Sequence, residues 1–352
     1  MRATVLLLLL LACAGCDQVS DLKGDQEVVL FPTIGARSAD GKGWDLDIHG
    51  CVYEDEKHRL ALLLLRETLQ RRNINLTAPE SALLSQRARL FMVDHERGKH
   101  IVVRIGKKKF KLSTSGSDGQ VFGEVHLNDS ELLDSGPTLA VQAVLRSSDQ
   151  RVFASQISLI NSTGATVISD IDDTIKITNV RDRAATLRNT FLEPFRPVAG
   201  MAEVYQSWAR QGSVDFFYVS ASPWQLFLPL WDFIRSNGFP AGAFYLKQVR
   251  WKDESLFNLF ESPMKYKPQV IEPLMEKFPN RRFILVGDSG ESDPEIYGAL
   301  ARRYTNQVSR IFIRDVTNEA PDSARFRSAF EGLPPGMCRV FHDPAEIAGV
   351  FP

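Results

Sequence analysis

The sequence predicts an α/β protein in which a parallel sheet fills the second half of the 352-residue chain and a β-rich half precedes it. From Thr166 onward, continuous apolar runs such as Phe216–Val219 and Phe283–Val286 alternate with helical patterns. This alternation is typical of parallel strands that are covered on both faces. Residues 28–162 instead show short runs separated by turn residues, which favours antiparallel strands. We therefore expect a Rossmann-like sheet after a β-rich, sandwich-type domain, with a barrel as the alternative to the sandwich.

In the first half, Asp45–Val52 alternates polar and apolar residues, as a half-buried strand does. Residues 60–70 are predicted to form one amphipathic helix inserted among the strands. The further strands predicted for this half are Arg89–Val93, Ile101–Ile105, Phe110–Thr114, Val121–Leu127 and Leu139–Leu145.

In the second half, helices are predicted where apolar residues recur with helical spacing, and Asn237-Gly238 is a helix stop signal. The predicted helices are Met201–Arg210, Gln225–Ser236, Val270–Lys277 and Glu295–Arg303. Besides the two runs already named, the predicted strands are Val167–Ile168, Phe244–Leu246 and Ile311–Ile313.

The N-terminus has the composition of a secretory signal. Met1-Arg2 is followed by the apolar run Val5–Leu11 and then by small residues, a pattern that export machinery recognises. The run is too short to span a bilayer. A cysteine after small residues resembles a bacterial lipoprotein signal, in which the cysteine is lipidated and becomes the new N-terminus. We favour Cys16, after Ala-Gly, over Cys13; ordinary secretion with cleavage nearby is the other alternative.

These features predict four regions along the chain. They are a signal peptide at 1–16, a tether at 17–27, a β-rich domain at 28–162 and a catalytic domain at 163–352. The resemblance to lipoprotein signals implies a protein that is exported and lipid-anchored to the bacterial cell envelope, on the periplasmic side.

Composition excludes several classes of function. The net charge of −1 gives no positive field for nucleic acid. Cys51 and Cys338 are the only cysteines outside the signal, too few for a disulfide framework or a zinc site. The six histidines show no metal-ligand spacing, which disfavours zinc chemistry.

Acids and hydroxyls follow three of the predicted parallel strands. Asp170–Thr174 follows the first strand, Ser220 follows the second, and Asp288–Asp293 follows the strand at 283–286. Because ligands sit at the carboxyl ends of parallel strands, we expect these groups to share one crevice.

Four of the acids would repel one another in such a crevice, namely Asp170, Asp172, Asp288 and Asp293. A hard divalent cation with oxygen ligands removes this cost, and Mg²⁺ suits a site that also holds phosphate. A carboxylate can also attack phosphorus to give an aspartyl-phosphate. The sequence therefore predicts metal-dependent phosphoryl chemistry.

The remaining polar residues have predicted supporting roles. Asp172, two residues after Asp170 on the same side of an extended segment, can protonate a leaving oxygen and later activate water. Thr174, Ser220 and a downstream lysine can hold the phosphoryl oxygens. We favour Lys267 over Lys265 because apolar residues then follow it at helical spacing.

The motifs resemble, in order, those of the haloacid dehalogenase superfamily: Asp170-x-Asp172-x-Thr174, Ser220 at a strand end, a downstream lysine, and Gly287-Asp288-x4-Asp293. The resemblance implies Asp170 as the nucleophile and Asp172 as the acid and base. It implies Ser220 and Lys267 as phosphate ligands. It places the metal on Asp170, Asp288, Asp293 and the backbone carbonyl of Asp172.

Longer stretches, at 170–176, 218–224 and 283–295, are similar to the catalytic domain of the actin-patch-type phosphatidate phosphatases, and lipins share the shorter elements. This resemblance spans about 165–320 and implies a Mg²⁺-dependent enzyme. It would dephosphorylate phosphatidate or a similar lipid phosphomonoester at a membrane surface. A phosphatase of soluble phosphomonoesters and a non-catalytic envelope binding protein are the alternatives.

Several other charged and aromatic residues are expected to have structural roles. Lys176 and Arg196 are expected to be solvated charges, and Trp224, Phe227 and Trp231 are expected to belong to the core. Glu291 is left open between holding a ligand and holding a backbone amide.

Overall fold

The computed structural model describes residues 19–54, 67, 75–132, 136–248 and 263–350. The predicted signal peptide, with Cys13 and Cys16, lies outside the described residues, as does the predicted helix at 60–70 apart from Glu67. Within the described ranges, no helix is long and apolar enough to cross a membrane.

In the part of the chain that the structure describes, the first half forms a mixed sheet of nine strands. The longest of them, β3, pairs with β1 and β2 along one edge and with β7 along the other, and β2 pairs with β9 in parallel. The strands are β1 (Gln26–Leu30), β2 (Thr33–Arg37), β3 (Gly43–Glu54), β4 (Asp94–His95), β5 (His100–Ile105), β6 (Lys108–Thr114), β7 (Gln120–Asn128), β8 (Thr138–Ala143) and β9 (Ala154–Ile160).

This sheet curls until two of its edge strands are side by side. The amide of Phe122 on β7 donates a hydrogen bond of 2.8 Å to Ser113 Oγ on β6. Leu46, Val103 and Ile157 fill the interior of the curl with a buried apolar cluster. The prediction of a β-rich half is confirmed, and its strands form one curled mixed sheet.

The strand predicted at Arg89–Val93 is wrong. Helix α1 (Ala78–Ala88) runs directly into a 3-10 turn at Arg89–Phe91. Thr77 Oγ1 accepts from the Glu80 amide, and the Glu80 carboxylate accepts from the Thr77 amide, a capping box that starts the helix. The apolar residues that suggested a strand are the buried end of this helical segment.

The described residues of the second half form a sheet of six strands that all pair in parallel, in the order β12-β11-β10-β13-β14-β15. The strands are β10 (Gly164–Ser169), β11 (Val214–Pro223), β12 (Ala243–Lys247), β13 (Arg281–Asp288), β14 (Val308–Arg314) and β15 (Cys338–Phe341). The helices are α2 (Arg183–Leu187), α3 (Met201–Ala209), α4 (Phe227–Ser236), α5 (Pro263–Lys277), α6 (Asp293–Arg303), α7 (Ala324–Ala329) and α8 (Ala345–Ala348).

This sheet confirms the predicted α/β architecture. Its strand order reverses between β10 and β13, so the carboxyl ends of these two strands flank a crevice. Helix α5 begins seven residues before the predicted helix, at Pro263 instead of Val270. The sequence analysis predicted neither β15 nor the short helices α7 and α8.

The two sheets share part of one core. Trp224 and Phe227 are buried as predicted, and both make edge contacts with Phe31, which directly follows β1. Trp231 packs partly buried against the same cluster. This aromatic cluster fixes the position of the curled sheet relative to α4 of the parallel sheet.

Arg281 anchors the start of β13 to the segment that joins the two sheets. Its side chain is 1% exposed and donates hydrogen bonds to the carbonyls of Asn161 (2.8 Å) and Thr163 (2.7 Å) and to Asp215 (2.5 Å). Arg281→Met removes these hydrogen bonds from a buried guanidinium, so we expect the free energy of unfolding to fall by about 1.5–3 kcal/mol in urea denaturation. The exposed neighbour provides the control, since Arg282→Met is expected to change it by less than about 0.5 kcal/mol. Equal effects of the two changes would contradict the anchoring role.

Candidate active site

Asp170 lies in the crevice at the carboxyl end of β10. Its amide donates a 2.8 Å hydrogen bond to the Val286 carbonyl on β13, which fixes the backbone between the two strands. Its carboxylate is 1% exposed, and Oδ2 accepts a 2.9 Å hydrogen bond from Thr174 Oγ1. Oδ1 accepts no hydrogen bond and lies 3.1 Å from Lys267 Nζ. One oxygen of this carboxylate is therefore oriented and the other remains available.

Asp288 and Asp293 face Asp170 from the neighbouring strand. Asp288 ends β13, and its Oδ1 accepts from the Gly290 amide at 2.6 Å. Asp293 begins α6, and its Oδ2 accepts from the Asp288 amide at 3.2 Å. A Cβ at Gly287 would collide with the Asp293 carboxylate, so a glycine there lets the acid approach the strand end.

One oxygen from each of Asp170, Asp288 and Asp293 lies within 4.8 Å of the others. Burial, together with these mutual repulsions, raises the pKa of Asp170 and of Asp288 well above the usual range. Asp288 Oδ2 is buried and accepts no hydrogen bond within the described structure. The three carboxylates thus form an acidic cluster whose oxygens can accept further ligands.

Lys267 is the ammonium that the structure places in this cluster. Its Nζ contacts the carboxylates of Asp170, Asp293 and Glu291, the last at 3.3 Å. Burial opposes its charge, but the surrounding carboxylates outweigh burial and raise the pKa of Lys267. Lys265 is exposed instead, so the geometry agrees with the preference for Lys267.

The donor set of this cluster fits a hard divalent cation. All its donors are carboxylate oxygens, which such ions prefer. Among the described residues, Asp288 Oδ2 accepts no hydrogen bond, and Asp170 Oδ1 has Lys267 Nζ 3.1 Å away as an ion-pair partner. The charge of Lys267 does not balance the negative charge of the surrounding acids, so a bound cation would lower the repulsion that raises the pKa of Asp170 and of Asp288.

Asp172 does not join the three carboxylates through its side chain. Its Oδ2 accepts hydrogen bonds from Ser220 Oγ (3.0 Å) and Ser222 Oγ (2.7 Å), and its Oδ1 accepts from Thr178 Oγ1 (2.7 Å) and contacts Lys176 Nζ (2.7 Å). Burial alone would raise its pKa, but the charge of Lys176 and these hydrogen bonds lower it to about 2. The expectation that four carboxylates would meet is therefore corrected to three.

The two predicted phosphate-binding hydroxyls are both bound to acids in this structure. Ser220 Oγ donates to Asp172 and accepts the Ser222 amide at 2.9 Å, and Thr174 Oγ1 donates to Asp170. Ser220 and Ser222 both donate hydrogen bonds to Asp172. The order of residues along the strand did not indicate this shared role. Their function as phosphate ligands stays a prediction.

Lys176 is not the solvated charge that we expected. It is 1% exposed, and its Nζ lies between the Asp172 carboxylate and the Phe195 ring, whose centroid is 4.8 Å away. The segment after Asp172 turns back on itself, since the Lys176 amide donates to the Ile171 carbonyl at 3.0 Å. Arg196 is exposed, as expected.

Asp173 is a structural residue of the site that the sequence analysis missed. It has φ 56°, and its carboxylate accepts from the amides of Thr178, Asn179 and Val180 at 2.7–2.8 Å. Its carbonyl accepts from Arg314 at 2.6 Å. An acid that accepts hydrogen bonds from amides a few residues downstream commonly stabilises a turn. The third acid of the segment at 170–173 could therefore have been predicted to hold a turn.

The loop between Asp288 and Asp293 is held from outside by Arg325. Its guanidinium donates to the carbonyls of Ser289 (2.5 Å) and Glu291 (2.6 Å) and to Glu295 (2.7 Å). Burial raises the pKa of Glu291 to about 7, and its side chain points to Lys267. Sequence analysis left Glu291 open and did not identify Arg325.

Comparison with known proteins shows what this second half is similar to. Residues 165–315 match the family model described as the catalytic domain of phosphatidate phosphatase APP1. The parallel sheet and the acidic crevice lie in this matched segment, and the match supports the predicted enzyme class, a phosphomonoester hydrolase.

Two particular relatives are similar to the chain. Phosphatidate phosphatase APP1 of Saccharomyces cerevisiae is 40% identical over 162 residues, which cover 45% of this chain and 27% of the yeast protein. An uncharacterized protein of Schizosaccharomyces pombe is 29% identical over 189 residues, covering 51% of this chain and 31% of its own length. The matches thus span less than a third of these relatives.

Proposed function

We propose that this chain is a Mg²⁺-dependent hydrolase of the haloacid dehalogenase superfamily that dephosphorylates phosphatidate or a similar lipid phosphomonoester. The observation that carries the proposal is Asp170, a buried member of the acidic cluster at the strand-order reversal, whose Oδ1 accepts no hydrogen bond from the described residues. The similarity of the same segment to a phosphatidate phosphatase catalytic domain supports the lipid substrate.

In the proposed mechanism, Asp170 attacks phosphorus and an aspartyl-phosphate forms as the ester P–O bond breaks. Thr174 donates a hydrogen bond to Asp170 Oδ2 and so fixes the orientation of the carboxylate. Lys267, whose Nζ lies 3.1 Å from Asp170 Oδ1, would attract the negative oxygens of the phosphoryl group. Asp170, Asp288 and Asp293 would hold Mg²⁺, which supplies positive charge opposite the phosphoryl oxygens.

Asp172 is proposed to protonate the leaving oxygen and then to activate water. With a pKa of about 2 its carboxylate is ionised in this structure, which suits the second step. For the first step its pKa must rise, and a phosphate dianion that enters beside it acts in that direction because like charges disfavour ionisation.

Phosphate release from several substrates tests this function. Phosphatidate in mixed micelles, glycerol 3-phosphate and p-nitrophenyl phosphate would be compared with Mg²⁺ and with EDTA. We expect Mg²⁺-dependent release with phosphatidate preferred. Release from the soluble esters alone would favour the alternative of a soluble-substrate phosphatase. No release from any ester would favour a binding protein and refute the proposal.

Metal binding should also stabilise the protein. A ligand at 100 times its Kd adds about 2.7 kcal/mol to the free energy of unfolding. We expect Mg²⁺ to raise Tm of the unmodified chain and to have little effect on Asp288→Asn, which loses a cluster carboxylate. The control is Asp322→Asn, an exposed acid outside the cluster, which should keep the full Mg²⁺ response. A loss of response in both variants, or in neither, would contradict a metal at the acidic cluster.

We also propose that the chain is exported and lipid-anchored to the cell envelope through Cys16. The support is the pattern of a basic start, a short apolar run and Ala-Gly before the cysteine. Metabolic labelling with a fatty acid in a bacterial host tests it, with Cys16→Ser expected to abolish labelling and Cys13→Ser to retain it. The reverse result would assign the anchor to Cys13.

A further inference from the structure

A cavity of about 1300 Å³ lies between the curled sheet and the edge of the parallel sheet. Strands β2, β3 and β7 form one wall, and β12 with the start of α5 forms the opposite wall. Its volume exceeds the 300–1,000 Å³ that is typical of small-molecule sites, so a long ligand fits.

The cavity adjoins the candidate active site along two elements. Leu246 and Lys247 of the wall pair in register with Ser220 and Pro223, at the carboxyl end of β11. On α5, the wall residue Tyr266 directly precedes Lys267, whose ammonium contacts Asp170. A ligand whose phosphate reaches Asp170 therefore has this cavity beside it.

Each of the two walls carries an exposed hydrophobic side chain. Phe122 on β7 is 49% exposed and Met264 at the start of α5 is 48% exposed. Only Val152 and Leu228 are comparable among the large hydrophobic residues of the described ranges, and neither lines the cavity. Exposed apolar side chains that converge on one concave surface mark a binding site.

The charged residues of the cavity are arranged unevenly. The lysines Lys247 and Lys265 lie on the wall next to the active site, whereas the acids Asp47 and Glu124 lie on the opposite wall. Asp47 is already paired with Lys277 at 2.5 Å. The lysines therefore lie on the wall that adjoins the candidate active site, where an anionic group would be held.

We infer that this cavity binds the acyl chains of the lipid whose phosphate reacts at Asp170. The inference rests on the proposed function and names what holds the apolar part of that substrate. It gives the β-rich half a role, because β2, β3 and β7 supply one wall of the chain-binding site.

Substrate selectivity measures this role. In the double variant Phe122→Ser, Met264→Ser, we expect the ratio of kcat/KM for dioleoyl phosphatidate to that for glycerol 3-phosphate to fall by at least about tenfold, because apolar contacts are lost only for the long-chain substrate. Leu228→Ser removes an equally exposed hydrophobic residue, 42% exposed, outside the cavity and should leave the ratio unchanged. An unchanged ratio in the double variant, or the same fall in Leu228→Ser, would overturn the inference. Met264→Ser alone serves if the double variant does not fold.

Binding of phosphonates separates this inference from the proposed activity. In the Asp170→Asn background, calorimetry should show dodecylphosphonate binding at least about tenfold more tightly than methylphosphonate. This preference should vanish when Phe122→Ser and Met264→Ser are added and persist with Leu228→Ser. Equal binding of the two phosphonates would refute the chain site even if the enzyme is active. If the protein binds dodecylphosphonate selectively but releases no phosphate, the acyl-chain site stands and only the proposed activity is refuted.

Discussion

Replacing Asp170 by asparagine is expected to lower kcat for phosphate release by at least about 10⁴-fold, the scale seen when a covalent nucleophile is removed. An amide has nearly the shape of the carboxylate but cannot form the acyl phosphate. Thr174 can still donate to the amide oxygen, so the side chain should keep its place. Activity would be measured at saturating Mg²⁺ with the best substrate of the release screen.

The same change is expected to preserve the fold. Burial and the neighbouring acids raise the pKa of Asp170, so its ionised form costs free energy in the metal-free protein. A neutral amide removes part of that cost, while Lys267 keeps its contact with Asp293. We therefore expect the free energy of unfolding without metal to be unchanged or higher.

The control for this prediction is Asp182→Asn. Asp182 is exposed and caps α2 by accepting from the amides of Ala184 and Ala185, and asparagine caps helices as well. Full activity in this variant and none in Asp170→Asn would support the covalent mechanism. Retained turnover by a pure Asp170→Asn preparation would refute it.

The positions of Asp170, Asp288 and Asp293 could be predicted because local sequence determines them. Continuous apolar runs located β10 and β13, and the acids that follow such runs emerge at the same edge of the sheet. The capping box at Thr77 and Glu80 was equally local, and it would have corrected the strand expected at 89–93. These parts of the fold depend on periodicity and on residues a few positions apart.

The surroundings of Asp172 could not be predicted in the same way. Its partners come from the loop that turns back after Asp173 and from the end of β11, about fifty residues away. In the sequence, Lys176 is a single charged residue next to an apolar one, and this pattern does not indicate burial. Only the fold shows that the side chain is buried. Whether an acid binds metal, hydroxyls or an ammonium depends on such tertiary contacts.

Replacing Lys176 by methionine is expected to lower the free energy of unfolding at pH 7 by about 3–5 kcal/mol, because a buried carboxylate loses its cation. Asp172 would keep the hydroxyls of Thr178, Ser220 and Ser222. These neutral donors alone do not offset the effect of burial, so the pKa of Asp172 should rise in Lys176→Met. Urea denaturation at several pH values measures both effects. Arg196→Met, which removes an exposed cation, is the matched control and should change the free energy of unfolding by less than about 0.5 kcal/mol.

The pH dependence distinguishes the ion pair from packing. In the unmodified chain the pKa of Asp172 is about 2, below the ordinary value of 3.8. A group with a lowered pKa contributes stability that is fully present above its pKa in the unfolded chain and is lost as the pH falls through its pKa in the folded one. A change from 3.8 to about 2 corresponds to about 2.4 kcal/mol. The difference in the free energy of unfolding between the unmodified chain and Lys176→Met should therefore become smaller as the pH falls from 5 to 2. A difference that stays constant over this interval would show that Lys176 stabilises the protein through other contacts, such as that with the Phe195 ring, and not through its ion pair with Asp172.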